Sequence, residues 1–112
     1  MEKDELIEEL KAIAHPLRLR ILEALGAGEL NVGEIEQAAQ IGQPALSQQL
    51  GVLRKAGLVE TRKEAKLVFY RLAREPLSRI AAAVSALAGP TGQSGVNPRM
   101  PSPGAANFAR LS

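Results

Sequence analysis

The fold is decided by one stretch of the chain, Val32–Leu72, which reads VGEIEQAAQIGQPALSQQLGVLRKAGLVETRKEAKLVFYRL. Its first part contains two segments in which apolar residues recur at the spacing of one helical face, and Gly42 lies between the two segments. The first segment follows Asn31, a good N-cap residue, and the second begins at Pro44. The pattern predicts two short helices joined by a tight turn, the first ended by Gly42 and the second by Gly57.

After Gly57 the spacing of apolar residues changes from helical to alternating. Leu58–Arg62 and Leu67–Leu72 are rich in strand formers, and the polar segment Lys63–Lys66 lies between them. Two strands around a short polar tip predict a β-hairpin. Helix, turn, helix and hairpin in this order predict a winged helix-turn-helix, which is a mainly α fold with a β-hairpin wing (α+β).

Three further helices are predicted outside this stretch. The first covers about Lys3–Ala14, the second runs from Pro16 to Gly26, and the last runs from about Glu75 to Ala88. The expected architecture therefore has five helices and a two-stranded hairpin. We expect a single domain over residues 1–88, followed by a Pro/Gly-rich tail over residues 89–112 that is too poor in core-forming residues to fold alone and is flexible in solution.

The last predicted helix carries apolar residues on more than one side, which is typical of a helix buried on two sides. A single chain of this size has little core with which to cover both terminal helices. We therefore expect a homodimer that packs through the first and last helices. The alternative is that the last helix packs only against its own domain. The expected interface residues are Leu6, Ile7, Leu10, Leu77, Ile80, Ala81, Val84 and Leu87.

The composition excludes several classes of protein. The chain has 112 residues, 46% of them hydrophobic and 23% charged, which is ordinary for one soluble domain. It has no cysteine, which excludes a disulfide framework, a thiolate metal site and a thiol switch. No apolar run approaches the roughly 20 residues that cross a membrane, and the first residues lack the features of a signal peptide, so a cytoplasmic protein is expected. We expect no metal, no cofactor and no enzymatic activity, since there is one histidine, no carboxylate cluster and no nucleophile beside a base.

The net charge of +2 is distributed unevenly along the chain. Residues 1–40 hold nine acidic and four basic residues, whereas residues 41–112 hold three acidic and ten basic ones. The cationic part contains the second helix of the predicted pair and the hairpin. This distribution predicts a surface that contacts the phosphates of double-stranded DNA, although each lysine taken singly is equally typical of a solvated surface.

The predicted DNA-reading helix has a polar side opposite its apolar stripe. With Leu46, Leu50 and Leu53 facing inward, Gln49 lies near the stripe and is a weaker candidate for DNA contact. Amide and hydroxyl groups on the other side can hydrogen-bond to base edges. The residues that this places outward are Pro44, Ser47, Gln48, Gly51 and Lys55, with Gln43 at the helix start.

The residues predicted to contact DNA, on this helix and on the hairpin, have two predicted roles. Uncharged polar side chains select sequence through the bases, whereas cations and the helix N-terminus hold phosphates. The predicted base-reading residues are Gln43, Ser47 and Gln48. The predicted backbone contacts are Pro44, Arg54 and Lys55, together with Arg62, Lys63 and Lys66 at the hairpin tip.

Three segments in a fixed order, Leu10–Leu22, Leu46–Val59 and Phe69–Leu72, resemble the ArsR (SmtB/ArsR) family of bacterial transcriptional repressors. The resemblance extends over about residues 5–88. It implies a homodimer that binds an inverted-repeat operator and leaves it when an inducer is sensed. Within the family, Val32–Glu36 and Gln43–Leu50 are most similar to the branch that senses sulfide, persulfide or oxidants and controls biofilm or virulence genes.

The chain departs from this branch where sensing occurs. The two reactive cysteines of the branch would fall near Glu23 and near Gly89, and neither position holds a thiol. Metal-sensing members use cysteines on the third helix or Asp and His ligands on the last, and Leu77–Leu87 holds no such group. His15, directly before Pro16, is expected to cap a helix. The inducer stays unidentified, and two alternatives remain: a constitutive or architectural DNA-binding regulator without sensing, and a winged-helix module that binds another protein.

Overall fold

The computed structural model describes the backbone of residues 2–90 and the side chains of residues 3–90. It contains five helices and three strands, and the strands form one antiparallel sheet in the order β1-β3-β2. The elements are α1 (Glu2–Ile13), α2 (Pro16–Leu25), β1 (Leu30–Asn31), α3 (Val32–Ala39), α4 (Ala45–Lys55), β2 (Val59–Glu64), β3 (Leu67–Leu72) and α5 (Arg74–Ala88). The predicted fold class, a winged helix-turn-helix, is confirmed.

The core forms where α2, α3 and α4 meet. Its fully buried side chains are branched aliphatic residues, and each contributes about 1.5–3 kcal/mol to folding when it leaves water. The apolar stripe predicted for α4 is confirmed, because Leu46, Leu50 and Leu53 are all buried. The largest fully buried side chains are Ile21, Leu25, Ile35, Leu46, Leu53 and Leu58.

Side chains cap the starts of α2 and α3. The imidazole Nδ1 of His15 accepts a hydrogen bond of 3.1 Å from the backbone N–H of Leu17, so the predicted capping role of this histidine is confirmed. Asn31 and Glu34 form a capping box, in which each side chain accepts a bond of 2.9 Å from the backbone N–H of the other. These caps define where each helix begins.

The end of α3 differs from the prediction. The helix stops at Ala39 and Gln40 adopts a left-handed conformation with φ of 59°, so Gly42 is not the terminating residue. Arg20 on α2 donates hydrogen bonds of 2.6 and 2.8 Å to the carbonyl oxygens of Ala39 and Gln40. A guanidinium from a neighbouring helix therefore satisfies the exposed carbonyls, and this contact has no signature in local sequence.

The end of α4 follows its glycine. Gly57 has a φ of 78°, its N–H donates to the oxygen of Arg54 at 3.0 Å, and the N–H of Leu58 donates to the oxygen of Leu53 at 3.0 Å. This pair of bonds is a Schellman motif, which requires a residue that tolerates the left-handed conformation. Leu58 is thereby turned into the core, and the chain enters β2.

The hairpin formed by β2 and β3, here called the wing, has a shorter tip than predicted. Glu64 pairs with Leu67, so only Ala65 and Lys66 form the turn, and Lys63 lies within β2. Arg62 also lies within the strand and not at the tip, which corrects its predicted place.

The sheet has one strand more than the sequence indicated. Leu30 and Asn31 form β1 and pair with Tyr70 and Phe69 of β3. A strand of two residues is too short to display an alternating pattern, because alternation needs about four residues to be recognised. This strand ties the start of α3 to the wing.

The contacts of the chain divide it into two units, Met1–Ile80 and a second one that begins at Ala81. Within the first, Ile80 is buried in the core and Leu77 is half-buried against it. Of the second, residues 81–90 are described, and its Val84 and Leu87 are exposed. The expected tail over residues 89–112 falls almost wholly outside the described residues, so the domain boundary at residue 88 stays a prediction. No helix in residues 2–90 is long and apolar enough to span a bilayer.

Candidate nucleic-acid interface

The side of α4 opposite its buried stripe is exposed to solvent. We call this side the outward face, and all of its residues are exposed. The three leucines of the stripe bind the helix to the core, so the intervening positions are turned out by the helical period. The outward face comprises Pro44, Ser47, Gln48, Gly51 and Lys55.

Gln43 caps α4 and is bonded to Ser47. The side-chain Oε1 of Gln43 accepts hydrogen bonds from the backbone N–H of Ser47 at 3.1 Å and from its hydroxyl at 2.7 Å. The amide Nε2 of Gln43 donates to Glu36 on α3 at 3.2 Å. Pro44 occupies the N-cap position and offers no side-chain bond, so Gln43 supplies the missing acceptor. Two predicted base readers therefore already use part of their hydrogen-bonding capacity within the protein.

Gln48 differs from these two residues. Its side chain is exposed, and no hydrogen bond to it occurs within residues 2–90. Both its carbonyl oxygen and its amide N–H groups are therefore available. Among the predicted base readers, Gln48 offers the full donor and acceptor set that an adenine edge requires.

Gln49 is occupied by a contact to the body of the domain. Its Oε1 accepts a hydrogen bond of 2.8 Å from Nη1 of Arg18, and its side chain is half-buried. The sequence placed Gln49 near the buried stripe, and the structure agrees. Arg18 thereby connects the start of α2 to the middle of α4.

Arg62 is held by two carboxylates. Its Nε and Nη2 donate to the two carboxylate oxygens of Glu29 at 2.8 and 2.9 Å, and its Nη1 donates to Glu64 at 2.7 Å. The guanidinium also lies 4.8 Å from the ring centre of Phe69. These hydrogen bonds raise the pKa of Arg62 and lower the pKa of Glu29 below its usual value. A cation predicted to meet phosphate is thus neutralised in the free protein.

The other predicted phosphate contacts are unpaired. Within the described part of the chain, no carboxylate lies within 4.0 Å of the charged groups of Arg54, Lys55, Lys63 or Lys66. All four side chains are exposed. The first two lie in the last turn of α4 and the other two lie on the wing, so both elements carry free positive charge.

The residues expected at a dimer interface differ in exposure. On α1, Ile7 is 49% exposed, whereas Leu6 and Leu10 are half-buried against the core. On α5, Ile80 is buried within its own chain and is a core residue, while Leu77 is half-buried. In the second unit, Ala81, Val84 and Leu87 are all exposed.

Two of the contacts that sequence reasoning missed join residues far apart in the chain. Glu29 and Arg62 are 33 positions apart, and Arg18 and Gln49 are 31 apart. Neither pair belongs to one periodic element, so no local signal was present. Within residues 2–90, no group of three or more His, Asp or Glu side chains is placed to hold a metal ion.

Comparisons with known proteins define the class to which this fold and surface belong. Residues 15–61 match the family described as "Bacterial regulatory protein, arsR family". The chain is 54% identical over 78 residues to the biofilm growth-associated repressor of Agrobacterium fabrum. The matched segment covers 70% of this chain and 67% of that protein. Matched segments span 67% and 65% of the first two curated relatives.

Solved structures agree with the sequence matches. The crystal structure of the transcriptional repressor BigR from Xylella fastidiosa matches with a TM-score of 0.63 and 49% identity, over 76% of this chain and 84% of that one. The structure of HlyU from Vibrio cholerae matches with a TM-score of 0.65 and 41% identity, over 78% of this chain and 96% of that one. The chain therefore belongs to the ArsR family of bacterial regulatory proteins. It is a DNA-binding transcriptional regulator of the winged-helix type, and the family is one of regulators, not enzymes.

Proposed function

We propose that this protein is a homodimeric repressor that binds an inverted-repeat operator in double-stranded DNA and is released from it by an inducer. The observation that supports this best is the exposed polar face of α4 with Gln48 free at its centre. Unpaired cations occur in the last turn of α4 and on the wing. A helix that reads bases, flanked by groups that bind phosphates, is the arrangement a major groove accommodates.

The roles of individual residues are proposed as follows. Gln48 makes a bidentate contact with adenine, which is worth about 1–3 kcal/mol of discrimination against other bases. Ser47 contacts an adjacent base as an acceptor, through the lone pairs of its hydroxyl oxygen, because its O–H donates a hydrogen bond to Gln43. Gln43 holds the start of α4 and reaches the DNA through its amide group. Phosphates are bound by the N-terminus of α4 at Pro44 and by the four unpaired cations of the interface.

The dimer is proposed from the apolar side chains of the terminal helices. Ile7 is nearly half exposed on α1, and the exposed alanines of α5 allow a second helix to approach closely. Two copies related by a two-fold axis would present their recognition helices to half-sites about 34 Å apart. The cytoplasm is the proposed location, where both DNA and inducer are accessible.

Selection of bound fragments from genomic DNA, followed by titration of the recovered site and of a scrambled duplex at one salt concentration, tests this proposal. We expect a near-palindromic site that binds at least about 10³-fold more tightly than the scrambled duplex. Equal affinity for both duplexes would contradict the proposal and favour a module that binds another protein.

The absence of cysteine favours a second candidate, a DNA-binding regulator that does not sense. The branch that this chain resembles depends on thiols, and none is present. Titrating the operator complex with sulfide, with hydrogen peroxide and with Zn²⁺ separates the two candidates in part. Release by any of these would favour an inducible repressor, and a constant affinity would leave either a different inducer or none.

A further inference from the structure

A groove between α1 and α4 has the chemistry of a ligand site. Its volume is about 450 Å³, which lies within the usual range for small-molecule pockets. Its lining combines three apolar side chains, three cations and one carboxylate. The lining residues are Glu8, Lys11, Ala12, Arg18, Val52, Lys55 and Ala56.

Arg18 places a fixed positive charge in this groove. Its guanidinium donates to the backbone oxygens of Ala12 and Lys11 and, at 2.8 Å, to the side chain of Gln49. All three acceptors are neutral, and no carboxylate within residues 2–90 pairs with it. A guanidinium has five N–H groups, so two remain available. The side chain is partly buried, so solvent screens its charge less than that of a surface arginine.

The remaining charges of the groove add to this imbalance. Lys55 has no carboxylate partner in the described part of the chain, and Lys11 pairs with Glu8 across 3.4 Å at an exposed position. Three cations and one carboxylate therefore line the groove itself, while Asp4, Glu5 and Glu9 line the neighbouring groove that Lys55 also borders. The apolar part of the groove is open, since Val52 is 40% exposed between Ala12 and Ala56.

We infer that this groove binds a small amphipathic anion, a carboxylate on a short apolar chain. The carboxylate would accept hydrogen bonds from the free N–H groups of Arg18 and from Lys55. The apolar chain would lie along Ala12, Val52 and Ala56. A neutral apolar compound would leave the cations without a partner, and a bare inorganic anion would leave the apolar side chains in water.

The site is coupled to the DNA-reading helix, and this step rests on the proposed function. Arg18 holds α4 through Gln49, and Lys55 is a proposed phosphate contact at the end of the same helix. An anion that draws Lys55 into the groove removes it from the DNA backbone. Occupation of the groove would therefore release the operator, which assigns the unidentified inducer to a chemical class.

Binding is tested on the full-length protein without DNA, so its failure is distinct from a failure of DNA binding. Octanoate is titrated by calorimetry and by ¹H–¹⁵N NMR, with octan-1-ol and inorganic phosphate as matched probes. We expect saturable binding of octanoate with a Kd below about 1 mM, and at least tenfold weaker binding of the other two. Amide shifts should concentrate at Ala12, Arg18, Val52 and Ala56. Equal binding of octanoate and octan-1-ol, or shifts located elsewhere, would overturn the site.

Two variants complete the experiment. Val52→Phe fills the groove and should weaken octanoate binding at least tenfold, whereas Leu19→Phe, at a similarly exposed apolar residue on α2, should leave it unchanged. Arg18→Gln should likewise weaken octanoate binding at least tenfold. If Arg18→Gln does not fold, Val52→Phe still tests the groove. Unaltered binding to Val52→Phe would exclude the groove. Octanoate that binds there but leaves operator affinity unchanged would refute the coupling.

Discussion

Arg62 on the wing and Glu29, in the segment between α2 and β1, are joined by two parallel hydrogen bonds of 2.8 and 2.9 Å. This is the bidentate geometry in which a guanidinium also binds a phosphate. Glu29 therefore occupies the donors that DNA would use. The pair links the wing to the body of the domain, and a phosphate that binds Arg62 through the same two donors would have to displace Glu29.

Replacing both carboxylates, in the double variant Glu29→Gln/Glu64→Gln, should strengthen binding to random duplex and make the fall of log affinity with log salt steeper by about one, because it frees Arg62 for phosphate. Titrations at several salt concentrations measure this. Glu60→Gln is the matched control, since it breaks a separate ion pair of the sheet, with Arg71 at 3.0 Å, and leaves the contacts of Arg62 intact. An unchanged slope would show that Arg62 serves only to brace the wing.

Gln48→Ala should weaken binding to the operator by about 1–3 kcal/mol and leave binding to random duplex unchanged, because it removes a bidentate base contact but no charge. Fluorescence anisotropy at fixed salt with both duplexes measures the two losses. Gln37→Ala, which removes an exposed glutamine from α3, is the control. Equal losses on both duplexes would remove Gln48 from the base-reading set.

Lys66→Ala should weaken binding to operator and random duplex alike and reduce the salt slope by about one, because Lys66 lies in the wing turn as an unpaired cation. The measurement is the same titration in increasing salt. Lys3→Ala removes an exposed lysine from α1 and should change neither quantity. A loss confined to the operator would instead indicate that Lys66 contacts bases.

The ion pair should also appear in the pH dependence of stability. The hydrogen bond from Arg62 lowers the pKa of Glu29 below 4.5, so the folded state binds this proton less readily than the unfolded state. Its contribution is therefore complete above about pH 4.5 and is lost as the pH falls through the folded value. Both side chains are partly exposed, so the contribution is small.

Thermal unfolding of the wild type and of Glu29→Gln at pH 7 and pH 3 measures this contribution. The difference in Tm between the two proteins should be larger at pH 7 than at pH 3. Glu60→Gln again serves as a control for the loss of a carboxylate. A difference in Tm that is the same at both pH values would mean that the Glu29 carboxylate adds nothing to folding.

Much of the architecture was predictable because its signals are local. The stripe of Leu46, Leu50 and Leu53, the cap at Asn31 and the glycine after α4 each specify a helix or its boundary within a few residues. The short strand β1 and the left-handed Gln40 were missed. Both form hydrogen bonds with a distant part of the chain, β1 with β3 and Gln40 with Arg20.

For the candidate site, sequence alone determined which residue types lie on the outward face of α4 and that the cations are concentrated in the second half of the chain. Tertiary structure decided which of these groups are free. Arg62, Gln43 and Gln49 are engaged within the protein, whereas Gln48 and Lys66 are not. The physical reason is that periodicity is a property of neighbouring residues. An ion pair or a hydrogen bond depends on a partner that only folding brings within about 3 Å.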